Sequence, residues 1–208
     1  MSPHRTPAPG FFREAEPGRK GEILDAAMSV FTERGYDSGS MREIASRVGV
    51  TEPALYRHFP GKEAIFLALM NLVAGRLREE AFGLIGSVQP ETLRPQLVAA
   101  FADRRRAVRV TGPMLRTMLS AAAHHPRILA EYRTLIVNPV RERLVSKAAD
   151  LDRSFGAPAD ADATRDDRVR ALMALFVGYF VSTLVMADAP DEAVADAAIR
   201  VMGWEGAM

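Results

Sequence analysis

Residues 40–66 read SMREIASRVGVTEPALYRHFPGKEAIF, and the fold is decided in this stretch. Ser40 is placed to cap a short helix in which Met41, Ile44, Ala45 and Val48 point inward, and Gly49 ends it. Val50 is an inward-facing turn residue. Thr51 then caps the next short helix, with Glu52 near its positive end and Pro53 in its first turn, where a missing amide hydrogen costs little. Leu55 and Phe59 face the core. Two short helices joined by a tight turn containing glycine make a helix-turn-helix, whose second helix offers its N-terminal residues to the major groove of DNA.

Working outward, Ile23, Ala27, Val30 and Phe31 predict a first amphipathic helix over Lys20 to Arg34, stopped by Gly35 as a left-handed C-terminal cap. Pro60 and Gly61 break the chain before a long helix near Lys62, with Ile65, Phe66, Leu69, Leu72 and Val73 on its apolar side. Further helices are expected over Glu91 to Arg109, Pro113 to His124 and Pro126 to Leu151, the prolines acting as punctuation, with Pro139 kinking or splitting the last. Asp152 to Thr164, rich in Asp, Ala, Gly and Pro, reads as the longest internal loop. Helices over Arg165 to Ala187 and Asp191 to Trp204 complete an all-α chain of about nine helices, with no convincing strand or repeat.

Ile44-Ala45, Gly49-Val50, the block Leu55-Tyr56-Arg57-His58-Phe59 and Lys62-Glu63 stand at the spacing of the TetR family signature, which the run from Ile23 to Phe66 closely resembles. The rest of the chain resembles the family in helicity and length. The resemblance implies a three-part organisation: a flexible arm over 1–18, a three-helix DNA-binding domain over 19–66, and a helical ligand-binding and dimerisation domain over 67–208. It also implies a homodimeric regulator on a palindromic operator in double-stranded DNA, by default a repressor relieved by a small-molecule effector.

The candidate DNA-contacting residues are Ser40, Arg42, Thr51, Glu52, Pro53, Ala54, Tyr56, Arg57, His58 and Lys62. In the family, positions matching Tyr56, Arg57, His58 and Lys62 are commonly phosphate contacts. Their chemistry agrees: Lys62 joins an ammonium to the free amides of a helix start, Tyr56 and His58 supply donors, and Arg57 a fixed charge. Thr51, Pro53 and Ala54 suit close approach to bases, a thymine methyl fitting the apolar pair, while Arg42 can reach a guanine or a phosphate. Glu52 repels phosphate but can accept from a cytosine amino group, so it is expected to sharpen sequence choice more than to add affinity. Tyr56 as a partly buried core aromatic, and His58 as a helix cap or solvated group, remain open alternatives at this point.

Average electrostatics neither announce nor exclude a polyanionic partner, because 27 Lys+Arg oppose 26 Asp+Glu. Residues 1–66 carry nine of each, yet residues 40–62 hold four cations against two anions, so the local excess sits in the motif. Near-neutral charge argues against a non-specific nucleoid protein.

Beyond the motif, Leu172 to Met186 is apolar nearly all round, which suits either a dimer interface or a central core helix of a monomer. Leu175, Gly178, Tyr179, Ser182 and Met186 share one stripe and form the candidate interface. In the family, the last two long helices pair with their symmetry mates and a ligand pocket lies among the middle helices. Phe101, Met114, Met118, Tyr132 and Phe176 are candidate pocket residues, with ordinary core packing the competing account of each. Arg104 and Arg105 beside Phe101 hint at an anionic ligand group.

Enzyme chemistry finds little purchase. The chain has no cysteine, no Gly-rich phosphate loop, no Gly-x-Ser-x-Gly and no His-Glu-x-x-His, and adjacent His124 and His125 diverge on a helix. No metal and no cofactor is expected. The stretch Ala171 to Ala187 is short of the roughly 20 residues of a membrane span, and the proline-bearing N-terminus lacks a signal-peptide core, so a cytoplasmic protein is expected. The competing class is a helical small-molecule-binding protein or enzyme in which the helix-turn-helix is only architecture.

Overall fold

The computed structural model describes residues 12, 15–156, 161–185 and 191–204, with side chains undescribed at 103–111, 113–114, 180–185 and 191. Its elements are α1 (Arg19–Ser38), α2 (Met41–Val48), α3 (Glu52–Tyr56), α4 (Lys62–Ser87), α5 (Leu93–His124), α6 (Pro126–Tyr132), α7 (Asn138–Phe155), α8 (Ala161–Val185) and α9 (Asp191–Met202). A 3-10 turn at Pro90–Thr92 and a π-helical turn at Arg133–Val137 complete the order. Among the described residues there is no strand, so the chain is all-α as its periodicity requires.

Several boundaries differ from the sequence expectation for identifiable reasons. Gly35 does interrupt α1, but with φ 78° and ψ 167° it lies outside the left-handed helical cap; it occupies a region open essentially to glycine alone, and the chain then turns Tyr36 into the core. Pro113 does not punctuate: α5 runs through it for 32 residues, the remaining ladder carrying the loss of one hydrogen bond. Pro139 does split its helix, since the wider π turn at Arg133–Val137 directly precedes α7 and makes room for the ring one turn back. The expected loop from Asp152 to Thr164 is shorter, because α7 continues to Phe155 and α8 begins at Ala161. Asp152 is no loop residue but a 5% exposed carboxylate inside the core.

Contacts divide the chain into two compact units, 1–77 with 110–136 and 78–109 with 137–208. In the first, Phe31, Tyr36 and Phe66 form an aromatic centre with ring centroids 4.6 to 5.7 Å apart, around which Ile23, Ile44, Leu55 and Leu69 are buried. Phe12, within the segment expected to be a flexible arm, is 1% exposed in this core, and its amide donates to Asp25 Oδ1 at 3.1 Å.

The second unit packs α8 against α7 and α9, with Leu151, Val169, Leu172, Ile199 and Trp204 at its centre. Asp152 accepts from Trp204 Nε1 at 2.9 Å, Arg165 Nε at 2.9 Å and Arg168 Nη2 at 2.8 Å. Arg168 also donates to the carbonyls of Ala161 and Met202, so one guanidinium ties the start of α8 to the end of α9. Burial alone would push Asp152 up, but the hydrogen bonds from Arg168, Trp204 and Arg165 outweigh it and hold the carboxyl below its ordinary range.

Candidate nucleic-acid interface

The first motif helix is set by its own termini. Ser40 Oγ accepts from the Glu43 amide at 3.2 Å and the Glu43 carboxylate accepts from the Ser40 amide at 3.1 Å, closing a capping box. The Ser40 hydroxyl also donates to Glu43 at 2.9 Å, which leads the interactions holding that carboxyl below its usual range. Gly49 ends α2 as expected, and does so as a left-handed cap with φ 77° and ψ 34°. Arg47 then grips Glu33 with two hydrogen bonds of 2.7 and 2.8 Å, fixing α2 on α1.

α3 is held from below by Leu55, fully buried, and Phe59, 8% exposed. Thr51 starts it through its carbonyl, which accepts from Ala54 and Leu55, but the side chain makes no capping bond and stays exposed, unlike the expected hydroxyl cap. Arg42, Pro53, Tyr56, Arg57 and His58 are exposed as well, while Glu52 and Ala54 are half-buried. Tyr56 at 48% exposure is no core aromatic, and among the described residues no His58 ring bond caps the helix.

The four Lys and Arg residues of the motif fall into two pairs with different commitments. Arg47 and Lys62 are engaged: Lys62 Nζ donates to the carbonyls of Tyr36 at 2.8 Å and Asp37 at 2.9 Å and lies 4.7 Å from the Tyr36 ring centroid. Arg42 and Arg57 have no side-chain hydrogen bond or ion pair among the described residues, and the same holds for Tyr56 and His58. The end of α3 and the turn after it therefore present donors and fixed charge with no partner among the described residues, opposite a face that is core. Sequence reasoning missed the structural use of Lys62, whose partners lie 25 and 26 residues away. It also missed Glu43, although Ser-x-x-Glu before an apolar run is itself a capping signal.

The remaining candidates are distributed as follows. Phe101 is buried in the second unit, stacked on Phe176 at 4.6 Å and edge-on to Tyr179 at 4.9 Å. Met118 is buried in the first unit's core, Tyr132 packs against it, and the side chain of Met114 lies outside the described residues. On α8, Leu175 is half-buried and Gly178 exposed, whereas Tyr179, turned toward Phe101, is 5% exposed; the Ser182 side chain and Met186 lie outside the described residues. A cavity of about 70 Å³ opens elsewhere in the second unit, and of the four pocket candidates with described side chains only Phe176 lines it.

A capped helix carrying Arg42, a glycine turn and a second short helix followed by Arg57, both arginines uncommitted among the described residues, define the helix-turn-helix class of DNA-binding regulators. Comparison with known proteins narrows the class. Residues 23–69 match the family model of bacterial regulatory proteins of the tetR family. An uncharacterized HTH-type transcriptional regulator of Mycobacterium bovis is 30% identical over 86% of this chain and 87% of its own length. The HTH-type transcriptional activator FasR of Mycolicibacterium smegmatis is 47% identical over 27% of this chain and 28% of its own. The chain covers only 17% to 50% of the length of other curated relatives. In fold, it is similar to SmeT of Stenotrophomonas maltophilia, solved with triclosan, with a TM-score of 0.69 at 23% identity over 91% of this chain and 93% of that one.

The chain belongs to the TetR family of transcriptional regulators, and its relatives are regulators rather than enzymes. No helix among the described residues is long and apolar enough to cross a membrane.

Proposed function

We propose that the protein represses transcription in the cytoplasm as a homodimer on a palindromic operator in double-stranded DNA, and that a small-molecule effector releases it. The functional parts are an arm over 1–18, a DNA-binding domain over 19–66 and an effector and dimerisation domain over 67–208. The observation that carries the reading is the uncommitted surface at the end of α3: exposed Tyr56, Arg57 and His58, joined by Arg42 of α2, have no partners among the described residues. Phosphate oxygens supply what these groups lack, and Thr51, Glu52, Pro53 and Ala54 at the helix N-terminus are left to meet base edges. Ser40 and Lys62 serve the same surface from behind, by fixing the start of α2 and the start of α4.

Dimerisation is supported by α8, where Ala171, Ala174, Val177 and Gly178 are exposed at spacings of three and four, Val177 at 55%. Such a face favours a second copy, and two copies place two recognition helices on two half-sites. Effector control is supported by SmeT, whose structure holds triclosan. An effector that binds better to the DNA-free arrangement weakens operator binding, and DNA weakens effector binding by the same factor.

The test is selection of genomic fragments by the purified protein at physiological salt, followed by sequencing of what is retained. An enriched inverted repeat is expected. Retention without sequence preference overturns the reading in favour of a non-specific DNA-binding protein, and no retention at all overturns it in favour of a helical protein whose helix-turn-helix is architectural.

A further inference from the structure

The helix-turn-helix is fastened at its base by residues far along the chain. Residues 110–136 belong to the same compact unit as α1, α2 and α3. Within that unit the corner between α5 and α6 is anchored in the core, where Met118, Ala121, Ala122 and Ile128 are buried in one cluster with Phe31, Ile44 and Leu55. His125 is the corner residue: its amide donates to the Ala121 carbonyl at 2.9 Å, and its own carbonyl accepts from Leu129 at 3.0 Å. From this anchored turn two side chains reach the two ends of the motif. His125 Nε2 lies 2.8 Å from Asp37 Oδ1 near the end of α1, and its ring meets Tyr36 edge-on at 4.9 Å. Arg127 Nη1 lies 2.8 Å from Glu63 Oε1 in the first turn of α4.

Asp37 stands where the chain enters the helix-turn-helix and Glu63 where it leaves, and Lys62 ties the two ends together through the Tyr36 and Asp37 carbonyls. Both carboxylates are close enough to Tyr36 to add to burial in pushing its hydroxyl up. The Glu63 oxygen that Arg127 meets is itself buried and accepts no hydrogen bond among the described residues, so the guanidinium charge is what offsets its burial. Asp37 and Arg127 are exposed, and pairs with an exposed partner contribute little to folding. What they supply is geometry, because one turn holds both ends of the segment that reads DNA. We propose that His125 and Arg127 are positioning residues for DNA reading, a staple across the base of the helix-turn-helix that fixes how Arg42 and α3 are presented. The inference rests on the operator-binding reading above, and it places a determinant of DNA recognition outside residues 19–66.

The test is an Asp37→Ala, Glu63→Gln double variant of the full-length protein, which removes both pairs and, with them, both negative charges. Charge alone therefore predicts tighter binding to every DNA sequence, whereas a staple predicts a loss of discrimination. Affinities are measured at one salt concentration for the duplex selected from genomic DNA and for a scrambled duplex. Their ratio is expected to fall about fivefold, the size of effect that loss of such pairs produces. In the absence of DNA, the amides of α2 and α3 are expected to exchange hydrogen faster than in wild type. His125→Gln, Arg127→Gln cuts the same pairs from the other side and is expected to do the same. An unchanged ratio or unchanged exchange in the folded variants overturns the inference, and so does global unfolding of both variants, which assigns the pairs to stability. Wild type without sequence preference overturns the operator-binding reading instead; exchange then decides the staple alone, faster supporting it and unchanged overturning it.

Discussion

Arg57 and Lys62 carry the same charge five residues apart and do different work. Arg57 is exposed and has no partner among the described residues, so Arg57→Ala is expected to weaken binding to all DNA sequences alike, by about tenfold, with an unchanged melting temperature. Lys62 holds two carbonyls at the end of α1, so Lys62→Met is expected to cost about 2 kcal/mol of stability, read as a lower denaturant midpoint. The exposure of the first was legible in the sequence, because Tyr56, Arg57 and His58 lie between the core residues Leu55 and Phe59. The second was not, since nothing in a local pattern reveals a lysine's carbonyl partners on another helix. Asp152 misled for the same reason: its composition suggested a loop, and only the fold brings it Arg165, Arg168 and Trp204. With its carboxyl held low in the folded state, Asp152 contributes stability that is present above the unfolded carboxylate range, near pH 4, and lost as pH falls through the lower folded value. Asp152→Asn leaves Arg168 short of a counter-charge, while Arg165 keeps Asp162; urea titrations at pH 7 are expected to show a loss of about 3 kcal/mol that shrinks as wild type is acidified below pH 4.

Elements were most legible where their ends are written in side chains or in glycine. Ser40 and Gly49 bound α2 as the sequence requires, and both short motif helices follow from residues within a few positions of each other. Gly35 shows the limit of that reading. A glycine after an amphipathic run announces a stop, but its ψ is set by where Tyr36 must go, which is a tertiary matter. The two glycines give a direct comparison, because a Cβ at either meets nothing within 4 Å and only the backbone can object. Gly49→Ala is expected to cost about 1 kcal/mol in the left-handed helical region, and Gly35→Ala about 2 kcal/mol or more, so thermal unfolding of the two variants should rank them in that order. Pro113 and Pro139 make the complementary point: both stand in helical runs, and the π turn ahead of Pro139 has no counterpart in the unbroken α5.

At the scale of the whole molecule, the account joins a DNA-reading surface to a second copy of the chain. The apolar run on α8 was visible in the sequence, but its exposed side falls on Ala171, Ala174, Val177 and Gly178, and Tyr179 is spent on Phe101. Val177→Asp is expected to halve the mass seen by light scattering and to abolish high-affinity operator binding; a variant that keeps both contradicts a dimer built on this face. The central claim, that operator DNA is read through the uncommitted face of α3 and its neighbour Arg42, is tested most directly by titrating a labelled operator duplex across a series of salt concentrations. Wild type is compared with an Arg42→Ala, Arg57→Ala double variant. The account predicts that log affinity falls steeply with log salt for wild type, and that the double variant, missing two arginines in each of two protomers, loses about three to four from that slope while melting at the same temperature. An unchanged slope in a folded variant would contradict it.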